Sequence, residues 1–147
     1  MNQSERQTGM GLWTDSREML EAANVLMPKG ISLMRPIYYL LGHSLEVGVK
    51  GFLLSHGATQ KDIRGIGHDL TLAIEEANLL GLEPYFQFTM EQIKSVKLLN
   101  SYYKAKELEY RVTGYKSFPD ATTFAEMIHD LLVAIKPVCR VSVEGHA

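Results

Sequence analysis

The chain reads as an all-α protein, an antiparallel bundle of four to five helices. Three observations predict this. Apolar residues recur at three-and-four spacing through most of the sequence, capping residues and Gly/Pro stops divide it into five segments, and no stretch alternates with the period of a strand. With 147 residues, 46% apolar and 22% charged, a single globular domain is expected. A chain of that size buries about two-thirds of its unfolded surface.

Residues 1–12 (MNQSERQTGMGL) are expected to form a flexible tail, ahead of a helical domain over 13–140 and a second tail over 141–147. The first helix is predicted from about Thr14 to Met27, stopped by Pro28 and Gly30. The second starts near Arg35-Pro36, where proline suits the first turn, and runs to Ser55, with Tyr38, Leu41, Leu45, Val49 and Phe52 as its apolar stripe. A loop from Gly57 to Gly67 leads to a third helix over Leu70–Leu80, with Asp69 as N-cap and Gly81 at its end. Thr89-Met90-Glu91-Gln92 fits a capping box for a fourth helix carrying Ile93, Val96 and Leu99. Residues 111–119 read as a loop. A last helix carries Phe124, Met127, Ile128, Leu131, Leu132 and Ile135, with Thr123-Phe124-Ala125-Glu126 as a capping box and Pro137 as its limit.

Composition narrows the function classes. A net charge of −2 gives no global attraction to nucleic acid or anionic membrane, so any phosphate site has to be a local basic patch. The lone Cys139 excludes an internal disulfide framework and a cysteine zinc site, and fits a reducing cytoplasm. No apolar run reaches the roughly 18 residues of a membrane span, and the polar N-terminus lacks the pattern of a signal peptide. The protein is therefore expected to be cytoplasmic and off the membrane.

Two places hold candidate chemistry. In Ile63-Arg64-Gly65-Ile66-Gly67-His68-Asp69-Leu70, glycines and a helix start form a place where a phosphate can approach backbone N–H groups, with Lys61, Arg64 and His68 adding charge and a titratable donor. The structural reading of the same residues is that Asp69 caps a helix while His68 packs beneath the loop. On the second helix, Tyr39, His43, Glu46 and Lys50 share one stripe beside the apolar face. The Glu46–Lys50 pair is either an ordinary polar pair or part of a site. Gly42, Gly48 and Gly51 in this helix imply close helix approach, within the bundle or across a dimer, since each costs about 1 kcal/mol relative to alanine.

Other patterns are weaker. Tyr102, Tyr103, Tyr110 and Tyr115, interleaved with Lys104, Lys106, Arg111 and Lys116, suit base stacking and phosphate contact, or a packed core. Glu126-Met127-Ile128-His129 matches half of a di-iron motif, but no second copy exists. The histidines lack zinc-ligand spacing, and neither a P-loop nor a nucleophile elbow is present, so no metal and no cofactor are expected.

The segment HSLEVGVKGFLLSHG followed by GHDL resembles the HEPN family (higher eukaryotes and prokaryotes nucleotide-binding). The matching features are Glu46 with Lys50 four residues on, then the His68-Asp69-Leu70 turn. LNSYYKAKELEYR resembles the Leu-Asn and Tyr-Arg elements that follow this turn in some members. The resemblance covers roughly residues 35–111. It implies a bundle of four or five helices, a homodimer, and either nucleotide-linked roles or metal-independent RNA cleavage. Nuclease members carry arginine and histidine with four to six residues between them. Arg64 and His68 have three between them, while Arg140 and His146 have five but lie beyond Pro137.

The expectation is therefore a module that binds a nucleotide or RNA phosphate through Glu46, Lys50, Arg64, His68 and Asp69. One alternative is an endoribonuclease with Arg64 and His68 as catalytic residues. Another is an interaction subunit beside a nucleotidyltransferase or in a toxin–antitoxin system.

Overall fold

The computed structural model describes residues 7–109 and 116–144. It contains six α-helices: α1 (Gly9–Leu26), α2 (Met34–Ser55), α3 (Gln60–Ile66), α4 (Leu70–Leu79), α5 (Met90–Tyr103) and α6 (Ala121–Glu144). No strand occurs among the described residues. The all-helical bundle expected from the sequence is what forms. Five long helices build it, and the short α3 is added between α2 and α4.

Helix α1 begins at Gly9, so residues 9–12 belong to it and not to the expected tail. Thr8 caps the start by accepting a hydrogen bond from the Gly11 N–H at 2.9 Å. The extra turn is held down by Leu12 and Trp13, both buried, and the Trp13 indole donates to the Leu132 carbonyl at 2.8 Å. After α1 the chain tightens into a 3₁₀ turn over Met27–Leu33, where Gly30 takes a positive φ of 57°.

Helix α2 is central. From Leu41 to Leu53 every residue except His43 is buried, because α1, α4, α5 and α6 all pack against it. Its glycines permit this. A Cβ added to Gly51 would lie 2.9 Å from the Gly9 carbonyl oxygen, and one on Gly48 would lie 2.8 Å from the Ser16 hydroxyl. Ser16 donates to the Ser44 carbonyl at 2.6 Å and Ser44 donates back to the Ser16 carbonyl at 2.8 Å. As α1 ascends from Gly9 to Ser16, its partners descend from Ser55 to Ser44, so the pair is antiparallel. Close approach inside the bundle therefore accounts for Gly48 and Gly51.

Helices α4 and α5 form a second antiparallel pair, with Leu70 and Thr71 beside Asn100. The capping box predicted at Thr89 and Gln92 is present in both directions, at 3.0 and 2.9 Å. Gly81, with φ of 97°, ends α4 as expected.

Two expectations for α6 give way. Its cap is Asp120, which accepts from the Thr123 N–H and hydroxyl at 2.9 and 2.8 Å, so the box at Thr123–Glu126 is displaced by one turn. The helix also continues through Pro137 to Glu144, into the expected C-terminal tail. Proline removes the bond to the Val133 carbonyl, but Val133 lies on the exposed side of the helix. The buried face of Leu131, Leu132, Ile135 and Cys139 runs on across the proline, so tertiary burial outweighs the local break. None of the described helices is long and apolar enough to cross a membrane.

Candidate functional site

The stripe read from the sequence is real, but half of it, Glu46 and Lys50, is buried. Because α2 is enclosed, Tyr39, His43, Glu46 and Lys50 face the end of α5 and the turn that follows α3. That turn begins where Thr59 and Asp62, in a reciprocal capping box, start α3 within the region read as loop. Helix α3 ends at Ile66, and Gly67 (φ 62°, ψ −136°) reverses the chain in a conformation that side chains strongly disfavour. The reversal aims the Gly67 carbonyl at Lys50, whose Nζ donates to it at 2.6 Å.

The next two residues are fixed from different sides. His68 Nδ1 lies 2.9 Å from Glu46 Oε1. Asp69 caps α4 by accepting from the Leu72 N–H at 3.1 Å and takes further donors from Asn100 and Lys104, at 3.0 and 3.2 Å. Asn100 also accepts from the Leu70 N–H at 2.9 Å, so one buried amide joins α5 to the start of α4.

Glu46 is the hub. Its Oε2 accepts from Lys50 at 2.8 Å, and its Oε1 accepts from the Tyr103 hydroxyl at 2.6 Å as well as facing His68. The Glu46 side chain is 5% exposed and Lys50 10%, whereas His68 is 49% exposed. The two buried members balance each other's charge, and the third reaches solvent. Burial works against ionisation of Glu46, but the hydrogen bonds from Lys50, Tyr103 and His68 outweigh it and hold the carboxyl below its ordinary range. An ionised carboxylate only accepts, so His68 donates its Nδ1–H and turns Nε2 outward. Burial and then the charge of Glu46 push the Tyr103 phenol far up, so it stays protonated.

His43 completes the cluster. Its Nδ1 is 3.0 Å from the Tyr103 hydroxyl and its ring stacks against Tyr39. Burial lowers its proton affinity, with Glu46 opposing. Gly42 makes room for this arrangement: a Cβ there would come within 2.6 Å of the Tyr103 ring.

Acid sensitivity follows. The unfolded chain binds protons to His43 and His56 at higher pH than the folded chain does, because burial depresses both imidazoles. Their contribution is complete above about pH 6.5 and is lost below it, as pH falls through the depressed folded-state values. The Glu46 contribution persists to about pH 4.5 and is lost below it. Urea melts from pH 8 to about pH 2.5 are expected to show a fall in stability in two stages, and a flat profile would contradict this ordering.

Glu46, Lys50 and His68 therefore converge, and Asp69 stands beside them as a helix cap. Arg64 does not join. It is exposed in the last turn of α3, its side chain without a hydrogen bond or ion pair among the described residues, and the Gly67 reversal follows it before His68. Lys50 is present but already committed to Glu46 and Gly67.

Tyr103 and Asn100 were not singled out as site residues from sequence, where Tyr103 appeared only within the tyrosine group. Tyr102 accepts from the Ser117 N–H at 2.9 Å and packs against Phe118. Tyr110, Arg111, Tyr115 and His146 lie outside the described residues. Arg140, Glu126 and His129 are exposed on α6.

Past the Asp69–Lys104 contact, an open cleft of about 480 Å³ is lined by Thr71, Lys97, Asn100, Ser101, Lys104 and Ala105. Of its two lysines, Lys104 is paired with Asp69, and Lys97 adds a positive charge. Compared with known proteins, the chain matches no family model, no curated protein and no solved structure.

Proposed function

We propose that this chain is a HEPN-like helical module that binds a nucleotide or RNA phosphate on the face formed by His68 and the Lys97–Lys104 cleft. The observation that carries this reading is the half-exposed imidazole of His68, held by a buried carboxylate one residue before Asp69, whose contact with Lys104 borders that cleft. A protonated imidazole in this position donates to a phosphate oxygen, and lysines beside it add attraction. Lys50 serves the ligand indirectly, by neutralising Glu46 and fixing the turn. Glu46, Lys50, His68 and Asp69, part of the motif that carries the HEPN resemblance, are close together here, which supports the family reading, with a homodimer or a nucleotidyltransferase partner as its quaternary expectation.

A second reading, a metal-independent endoribonuclease, is favoured by one feature, the Glu46–His68 dyad. A carboxylate-oriented imidazole is suited to take the 2′-hydroxyl proton while that oxygen attacks phosphorus, leaving a 2′,3′-cyclic phosphate. The Arg64 side chain makes no hydrogen bond to this dyad, which weighs against it, since the developing phosphorane charge then lacks its arginine.

One experiment separates the two. Wild type, His68→Ala and Arg64→Ala are incubated with mixed RNA in EDTA, and both binding and RNA ends are measured. Binding without cleavage, weakened at least tenfold by His68→Ala and little changed by Arg64→Ala, is the expected result. Cyclic phosphate ends that disappear with His68→Ala would promote the nuclease. No binding and no cleavage by folded wild type would end both.

A further inference from the structure

Among the described residues, a single buried side-chain nitrogen or oxygen lacks a hydrogen-bond partner, His56 Nδ1. His56 closes α2 as its C-cap, where its N–H donates to the Leu53 carbonyl at 3.1 Å and Gly57, with φ of 98°, turns the chain away. The ring is half-buried. It stacks on the fully buried Phe52, with centroids 4.3 Å apart, and meets Tyr85 edge-on at 5.9 Å. Tyr85 belongs to the link between α4 and α5, so the imidazole joins that link to the end of α2.

The unpaired atom decides where the proton sits. A hydrogen on Nδ1 would be a buried donor without an acceptor, so the neutral ring carries its proton on Nε2 and keeps a lone pair at Nδ1. Proton uptake therefore has to occur at the buried nitrogen. The stack on Phe52 offsets part of the charge but offers the new N–H no acceptor. Burial alone lowers the proton affinity of His56, without a contribution from Lys61, Asp62 and Arg64 on α3, Glu75 and Glu76 on α4, or Glu83 on the link. The Tyr85 phenol is the titratable group on the ring packed against it. Leaving the stack lets the imidazole keep a proton. Outside, it stands at the C-terminus of α2, where the helix dipole favours a cation and water supplies acceptors.

We infer that His56 is a pH-sensitive latch: neutral, its ring holds Tyr85 and the α4–α5 link against the end of α2, and on proton uptake at Nδ1 it swings out and frees Tyr85. The movement is local. Leu82, fully buried, accepts from the Tyr85 and Phe86 N–H groups at 2.9 and 3.0 Å and keeps the rest of the link in place. Release uncovers the Phe52 ring, so the acid form offers an apolar surface that the neutral form hides. Because release and proton uptake are coupled, removing Tyr85 has to raise the proton affinity of His56.

The latch needs no ligand, so the free protein is followed by NMR from about pH 8 to about pH 5, across the imidazole range. Nitrogen-15 spectra give the tautomer and titration midpoint of His56, and NOEs among the Phe52, His56 and Tyr85 rings give its position. In the neutral protein the proton is expected on Nε2. Below about pH 6.5, the ordinary imidazole value, the NOEs should weaken with the same midpoint as the His56 titration, while helical circular dichroism stays constant. Tyr85→Ala should raise the proton affinity of His56 by about threefold or more. His56→Phe should keep the Phe52–Tyr85 NOEs constant over the whole range. NOEs that survive the titration of wild-type His56 overturn the latch, as does a wild-type tautomer protonated on Nδ1. So does a midpoint that Tyr85→Ala leaves in place, or loss of helix in step with the NOEs, which would mark general unfolding.

Discussion

Glu46→Ala is expected to lower folding stability by about 3–5 kcal/mol, the scale for removing one partner of a buried ion pair. The loss exceeds that of a single contact because three donors depend on this carboxylate. Lys50 keeps only the Gly67 carbonyl, with its charge 10% exposed, while Tyr103 and His68 lose their acceptor. The double variant Glu46→Leu/Lys50→Met is expected to recover at least half of the loss, since it leaves no charge uncompensated. Urea unfolding of the wild type, Glu46→Leu, Lys50→Met and the double variant forms a thermodynamic cycle. A cost below about 1 kcal/mol for Glu46→Ala would mean that the cluster is solvated like a surface pair and that its burial has no energetic meaning.

Gly51→Val carries the second large effect, expected at about 3 kcal/mol or more. A Cβ at this position meets backbone, the Gly9 carbonyl oxygen at 2.9 Å and the Trp13 nitrogen at 3.3 Å. Backbone cannot swing aside as a side-chain tip does, so α1 and α2 have to separate. That separation also pulls at the reciprocal Ser16–Ser44 hydrogen bonds. Gly65 provides the control. It lies in α3 with open space where a Cβ would go, so Gly65→Ala is expected to stabilise the protein by about 0.5–1 kcal/mol through helix propensity alone. Equal effects at the two positions, read from thermal melts, would show that close approach of α1 and α2 does not limit stability.

Much of the fold is legible in the sequence because it depends on periodicity and caps, which are local. The stripe Phe124–Ile135, the Thr89–Gln92 box and Gly81 each declare a helix without reference to the rest of the chain. The misses are places where distant contacts decide. Pro137 reads as a stop, yet the buried face carries α6 past it. Leu12 and Trp13 extend α1 because Leu132 lies 119 residues away to receive the indole. Helix α3 was readable, since Thr59 and Asp62 have the spacing of a capping box, but the glycines on either side made a loop the simpler reading.

The site divides in the same way. Glu46 and Lys50 are four residues apart on one helix, so their pairing follows from geometry. Tyr103 lies 57 residues beyond Glu46, and no local pattern distinguishes it from Tyr102, which has an unrelated partner. Arg64 shows the opposite error. It is close to His68 in sequence, yet the left-handed step at Gly67 intervenes and no hydrogen bond joins the two.

The turn from Gly67 to Leu70 is stitched to the interior at every residue: the Gly67 carbonyl to Lys50, His68 to Glu46, Asp69 to Asn100 and Lys104, and the Leu70 N–H to Asn100. A segment with a loop's exposure thus has a core's anchorage. The Leu70 amide hydrogen, held by the buried Asn100, should exchange slowly with solvent, and whatever docks at the turn meets a surface already in its final shape. Association then forfeits little chain entropy, and recognition at this turn resembles a key meeting a cut lock more than a hand closing on an object.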